Sequence, residues 1–184
     1  MFVKEKAAQV AAYILWKCGS MTHLKLMKLM YLSERKYLVD FGARLTGDRL
    51  VSMPHGPVLS NTLDLFRDDP ESIWDAWVKH EANRVVSLAK EIDSEDVFDL
   101  LSVAATKVID FVIGQFGSLG AWELRNLTHT KELCPEWQDP HGSSLPIDLE
   151  EILRCSGKSK QEVLVILDDL KAQEEYQKII GDMV

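Results

Sequence analysis

The segment from Leu24 to Leu38, LKLMKLMYLSERKYL, constrains this chain more than any other. Leu24, Leu26, Met27, Leu29, Met30, Tyr31, Leu32, Tyr37 and Leu38 cover most of a helical circumference. That pattern belongs to a helix buried on several sides, so the rest of the chain must supply neighbours for more than one face. Gly42 is the expected stop, because a left-handed C-cap favours a residue without a Cβ. Arg44 to Met53 then alternates weakly, with Gly47-Asp48 as the turn of a short strand pair, and Pro54 and Pro57 close it off. Gly56 precedes a proline, which pushes it towards extended geometry, and a glycine here is expected to take a φ that a Cβ forbids. Nothing in the stretch supplies a nucleophile with its base, a metal cage or a phosphate loop. It reads as architecture around a loop.

The remaining elements follow from periodicity and punctuation. Val3 to Lys17 is an amphipathic helix with Ala7, Val10, Ala11, Ile14 and Leu15 inward, and Ser20 or Thr22 is the cap of the next helix. Ser60 to Arg67 is a short helix halting at Asp68-Asp69-Pro70. Trp77–Glu81 and Arg84–Leu88, separated by Ala82-Asn83, form a second hairpin on β-branched content and alternation, expected to pair with the 44–53 strands. Ser94 opens a long helix to about Phe116, and Ser118 caps a further one through Thr128. The loop from Cys134 to Pro146 is rich in Pro, Gly and Ser, and precedes two final helices, the second from Ser159 to about Ile180. The expected fold is therefore α+β, predominantly α-helical: a single compact domain over 1–184, with a core at about 3–140, C-terminal helices in 147–184, and one small antiparallel sheet built from two hairpins.

Charge narrows the function classes. The net charge of −8 is unevenly placed: residues 1–57 carry nine Lys/Arg against four Asp/Glu, and residues 58–184 carry twelve against twenty-five. Solvated faces with no special target account for such a split, as does an acidic surface that steers a basic protein partner. The balance argues against direct DNA binding, where the charge should run the other way. Lys25, Lys28, Arg35 and Lys36 could form a nucleic-acid patch, but they lack interleaved aromatics. Apolar runs are broken by charge, as by Lys107 and Asp110, so no membrane span is expected, and Met1–Lys6 does not read as a signal peptide. Three cysteines without CxxC spacing make a disulfide framework unexpected and point to a reducing cytoplasm.

Candidate chemistry is thin. His55, His80, His129, His141 and Cys134 have no i,i+4 pair, HExxH or CxxC among them, so no metal site is expected. His129 is read as capping its helix or packing on Trp137, and His55 as anchoring its turn. Cys18 and Cys134 have no basic helix start to activate a thiol, no GxSxG elbow occurs, and Asp68-Asp69 and Asp168-Asp169 read as solvent-facing. No catalytic residue and no cofactor is expected. Trp74, Trp77, Trp122 and Trp137 are core fillers or interface anchors, tryptophan being the residue most enriched in hot spots.

Two blocks of residues carry a resemblance. The first joins Lys25–Leu32, Gly42, Leu45-Thr46-Gly47-Asp48 and His55-Gly56-Pro57-Val58; the second is Leu124–His129 followed by Pro135-Glu136-Trp137. This order resembles the Panacea domain, found in SocA-like antitoxins and in proteins labelled phage-associated. The resemblance implies a mostly helical, non-enzymatic domain that neutralises a toxin protein encoded alongside it by direct binding. It also implies an alternative, an adaptor that delivers its bound protein to an AAA+ protease, with the terminal helices or Met183-Val184 as the candidate second contact; a nucleic-acid-linked regulator is a separate alternative. Among residues near the hairpins and the His-Gly-Pro loop, Tyr37, His55 and Trp77 are the expected partner-binding anchors.

Overall fold

The computed structural model describes residues 1–68 and 73–181. The expected helix stop at Asp69-Pro70 and the contact at Met183-Val184 lie outside the described residues. In chain order the elements are α1 (Lys4–Cys18), β1 (Met21–Thr22), α2 (His23–Phe41), β2 (Leu50–Met53), β3 (Gly56–Leu59), α3 (Ser60–Asp68), β4 (Val78–His80), β5 (Val85–Leu88), α4 (Val103–Phe116), α5 (Ala121–Leu127), β6 (Leu145–Pro146), α6 (Leu149–Cys155) and α7 (Lys160–Gly181). The α+β, predominantly helical class expected from the sequence is what the chain adopts.

α2 is the centre. It packs against α1, α4, α5 and α6 and against β1 and β3, and every residue from Leu26 to Glu34 is buried. Thr22 caps its start, accepting from the Lys25 amide at 3.4 Å. Gly42 ends it at φ 61°, ψ 24°, and a Cβ there would meet Ile166 of α7 at 3.0 Å, so glycine serves both the cap and the packing. α1 buries a continuous run from Ala7 to Leu15 against it.

The sheet differs from expectation. The two hairpins do not pair with each other; each recruits a two-residue strand from elsewhere. One sheet has the order β3-β2-β6 and the other β1-β5-β4, all antiparallel. The first hairpin also turns elsewhere: Met53 pairs with Gly56, so Pro54-His55 is the tip, and the 44–49 stretch, including Gly47-Asp48, is loop. The long helix expected from Ser94 is likewise shorter. A single 3₁₀ turn spans Glu95–Val97, and α4 starts after Ser102, whose hydroxyl accepts from the Ala105 amide at 3.2 Å. The break has a packing cause. Phe98 points into an aromatic cluster with Tyr13, Trp16 and Trp77, at centroid distances of 5.2, 5.7 and 5.8 Å. The Gln9 side chain of α1 meanwhile accepts the Leu100 amide at 3.0 Å, a donor a continuous helix would have used internally.

The 43–49 loop is held by one buried carboxylate. Glu34 accepts from Arg44 Nε at 2.8 Å, from the amides of Leu45 and Thr46 at 3.2 and 2.7 Å, and from Thr46 Oγ1 at 2.7 Å. Asp48 in turn accepts the Asn61 and Thr62 amides at 2.8 Å each, capping α3 from outside its own sequence neighbourhood. Replacing Glu34 by Ala leaves Arg44 and two amides without their acceptor, and is expected to cost about 3–5 kcal/mol. Glu34→Gln, which keeps part of the set, should cost less, and chemical denaturation of the two variants checks the order.

Candidate recognition site at the His-Gly-Pro turn

At the turn between β2 and β3, side chains from α2, from α5 and from the loop that follows it converge. Gly56 takes φ +91°, the positive value its position demanded. A Cβ on it would stand 2.8 Å from Thr128 Oγ1, 3.0 Å from His129 Cε1 and 3.1 Å from Lys28 Nζ, so there is no room for a side chain either. Three carbonyl oxygens of the hairpin are gripped from outside it. Trp137 Nε1 donates to Met53 O at 3.2 Å. Arg125 Nη2 donates to Pro54 O at 3.1 Å, and His129 Nε2 faces the same oxygen at 3.2 Å. Lys28 Nζ donates to Pro57 O at 2.6 Å.

The gripping residues are themselves fixed. The other His129 nitrogen faces Arg125 O at 2.6 Å, and its ring packs on Trp137 at 4.2 Å, so it serves α5 and the tryptophan together, as the sequence suggested. Because both ring nitrogens face carbonyl oxygens, a neutral ring can donate to one of them alone. The loop carrying Trp137 is tied to α2 by Glu136, which is 1% exposed. That carboxylate accepts from Tyr31 Oη at 2.7 Å and from Arg35 through Nε and Nη2 at 2.8 and 3.2 Å. Lys131 Nζ holds the Pro135 and Trp137 carbonyls at 2.8 and 2.6 Å.

The tip of this clamped turn points outward. His55 is exposed, and its ring meets the edge of Trp122, 65% exposed on α5, at 6.0 Å. Beside it opens a cavity of about 480 Å³ with Leu24, Met27, Met53, Pro54, Val58 and Leu63 among its walls, and with His23, His55, Ser143 and Ser144 also lining it. Its size lies within the range of ligand-sized cavities, and its lining mixes these apolar side chains with His23, Lys28, His55, Ser143 and Ser144.

The expected anchors fare differently. His55 belongs to this face. Tyr37 is half-buried against Phe41 at 5.0 Å and lies ten residues further along α2 than the pocket residue Met27, about 15 Å away at helical rise. Trp77 is a correction: at 7% exposure it stacks on Phe98 at 5.8 Å beneath the Lys90 amine, and so fills the core instead of offering an anchor. Trp122, which the sequence left undecided between core and interface, is the exposed tryptophan of the face. The four basic side chains read as a possible nucleic-acid patch are all engaged: Lys25 with Gly117 O, Lys28 with Pro57 O, Arg35 with Glu136, and Lys36 with Asp40 and the Phe111 ring. His80 lies on Phe66 at 4.4 Å, His141 stands by Asp139, and Cys134 is buried. Among the described residues no three His, Cys, Asp or Glu side chains gather to hold a metal ion, and no helix is long and apolar enough to cross a membrane.

This chain belongs to the antitoxin SocA-like, Panacea domain family, whose model matches residues 26–138. No curated protein and no solved structure matches it. The matched span holds the whole clamp, from Lys28 to Trp137, while α1, α6 and α7 lie outside it and α1 still completes the core around α2.

The clamp has two testable consequences. Gly56→Val must strain φ and displace Thr128, His129 or Lys28, and should lower stability by roughly 1–3 kcal/mol in thermal denaturation. The second concerns Lys28, whose amine burial pushes down from 10.5 to about 7; the nearby Cys134 pulls it upward and Arg125 adds to the fall. Above that value the folded chain has released a proton that the unfolded chain keeps up to about 10.5, so stability rises with pH. Cys134 opposes this above 9, because burial pushes its folded thiol to about 12 and the folded chain then holds the extra proton. The rise is therefore expected between pH 7 and 9, at no more than about 1.4 kcal/mol per pH unit, and Lys28→Met should abolish it in denaturant midpoints measured across that window.

Proposed function

We propose that this protein neutralises a toxin protein encoded beside it by direct binding, acting as a binding module and not as a catalyst, with the His55–Trp122 face and its pocket as the contact. The observation that carries the reading is the clamp. Residues of the family's matched span, the buried Lys28 with the more exposed Arg125, His129 and Trp137, direct polar contacts at the carbonyls of one hairpin whose tip packs little of its own surface. Such bracing adds modest stability per bond. Its larger effect is to keep the tip in one conformation, which lowers the entropy cost of docking a partner. The pocket beside the tip has room for a large apolar side chain, and tryptophan, exposed here at position 122, is among the residue types most enriched in interface hot spots.

The decisive experiment is growth rescue by the chain against its co-encoded neighbour, with co-purification of the pair. Trp122→Ala and His55→Ala, both at exposed positions, should leave the melting temperature nearly unchanged. At least one should weaken the complex by about 2 kcal/mol or more and reduce rescue. Full rescue and full affinity in the double variant would remove this face from the interface. Failure to bind the neighbour at all would overturn the antitoxin reading.

A further inference from the structure

A second surface, on the side of the aromatic cluster, has a chemistry of its own. From Glu91 to Thr106 the chain carries Glu91, Asp93, Glu95, Asp96 and Asp99, all exposed, and no Lys or Arg. Three apolar side chains stand among these carboxylates: Val97 at 39%, Leu100 at 37% and Val103 at 70% exposure. The segment is not a loose loop. Trp16 Nε1 donates to Ile92 O at 3.0 Å, Phe98 is sunk to 3% exposure, and Gln9 brackets the far side by donating to Asp99 at 2.6 Å and accepting from the Leu100 amide. Successive turns, Val97 N to Ser94 O, Phe98 N to Glu95 O and Leu101 N to Phe98 O, keep it compact.

Holding Phe98 inward turns its neighbours Val97 and Leu100 outward. Three cations lie nearby, and one of them, Lys17, feels the charge of Glu95 in this segment. Lys17 is engaged with Asp110 at 3.6 Å, Lys90 lies over the Trp77 ring, and Lys107 stands one helical turn beyond Val103 on α4. A fixed surface of aliphatic side chains among five carboxylates is complementary to an element with an apolar stripe flanked by Lys or Arg.

We infer that the 91–103 segment is a docking surface for a basic amphipathic helix of a protein partner, Val97, Leu100 and Val103 receiving its apolar stripe and the carboxylates its flanking cations. This rests on the reading of the chain as a protein-binding module, but on a different face from the His55 turn. The carboxylates would act over a Debye length and speed encounter, while the aliphatic contacts hold the bound state. The cost of ordering the surface has already been met within the fold.

The test uses the full chain, isotope-labelled, titrated with a synthetic amphipathic peptide of Leu and Lys and with a Leu/Glu peptide of the same pattern. Amide shifts concentrated in 91–104 with the Lys peptide alone are expected. The double variant Leu100→Ser/Val103→Ser, at exposed positions, should weaken that binding roughly tenfold, whereas Trp122→Ala should leave it unchanged. Shifts spread over the whole acidic surface, equal affinity of the double variant, or shifts centred on His55 would each overturn the proposal. Loss of toxin neutralisation with peptide binding intact would count against the antitoxin reading alone.

Discussion

Burial of α2 from Leu26 to Glu34 on every face is the constraint on which the rest depends. A helix enclosed on every side must bury whatever polar residues its function or connectivity places on it, and α2 buries Lys28, Ser33 and Glu34 outright and Arg35 in large part. A charge taken out of water is tolerated only with good partners. Here each partner is a separate loop. Lys28 takes the hairpin carbonyl at Pro57, Glu34 takes the 44–46 loop, and Tyr31 with Arg35 takes the carboxylate of Glu136. The central helix thus acts as a rack on which three loops hang, each fixed because leaving its donor or acceptor unpaired would cost more than ordering the chain.

This arrangement trades stability for position. Apolar residues of similar size at Lys28 or Glu34 would avoid the desolvation penalty, and buried ion pairs are often no more stabilising than such replacements. What apolar residues would not do is specify which carbonyl or amide sits above them. The gain from the polar choice is that the His55 tip and the loop behind Gly42 each have one defined place relative to α2.

The two exposed surfaces are built by the same logic. At the hairpin, Lys28, Arg125, His129 and Trp137 grip the backbone and the tip is left exposed; at 91–103, a sunken phenylalanine and a bracketing glutamine grip the backbone and the aliphatic neighbours are left exposed. In both, the fold meets the entropy of ordering before any partner arrives. The first is aromatic with an adjoining cavity and the second is acidic, so the occupants we propose for them differ: a bulky side chain for one, a cationic stripe for the other.

Several features were determined by the sequence alone because they depend on neighbours within a turn or two. The all-round apolar run from Leu24 to Leu38 dictates a buried helix, Gly42 its left-handed end and Gly56 its positive φ, and the 78–88 hairpin follows from alternation; the sequence narrows the cap of the buried helix to Ser20 or Thr22, and the structure decides for Thr22. Features that depend on partners far along the chain were decided only by the tertiary structure. The strands at Met21–Thr22 and Leu145–Pro146 are two residues long and exist because β5 and β2 offer them an edge, so no local pattern announces them, and without them the two hairpins read as one sheet. Periodicity from Ser94 to Phe116 supports one helix, but the aromatic pocket formed by Tyr13, Trp16 and Trp77 claims Phe98 and interrupts it. Trp77 and Trp122 are alike in sequence, one sunk and one exposed, and Lys28 reads as a surface cation until the hairpin closes over it. Local periodicity tells a residue which face it shares; only the closed chain decides what that face meets.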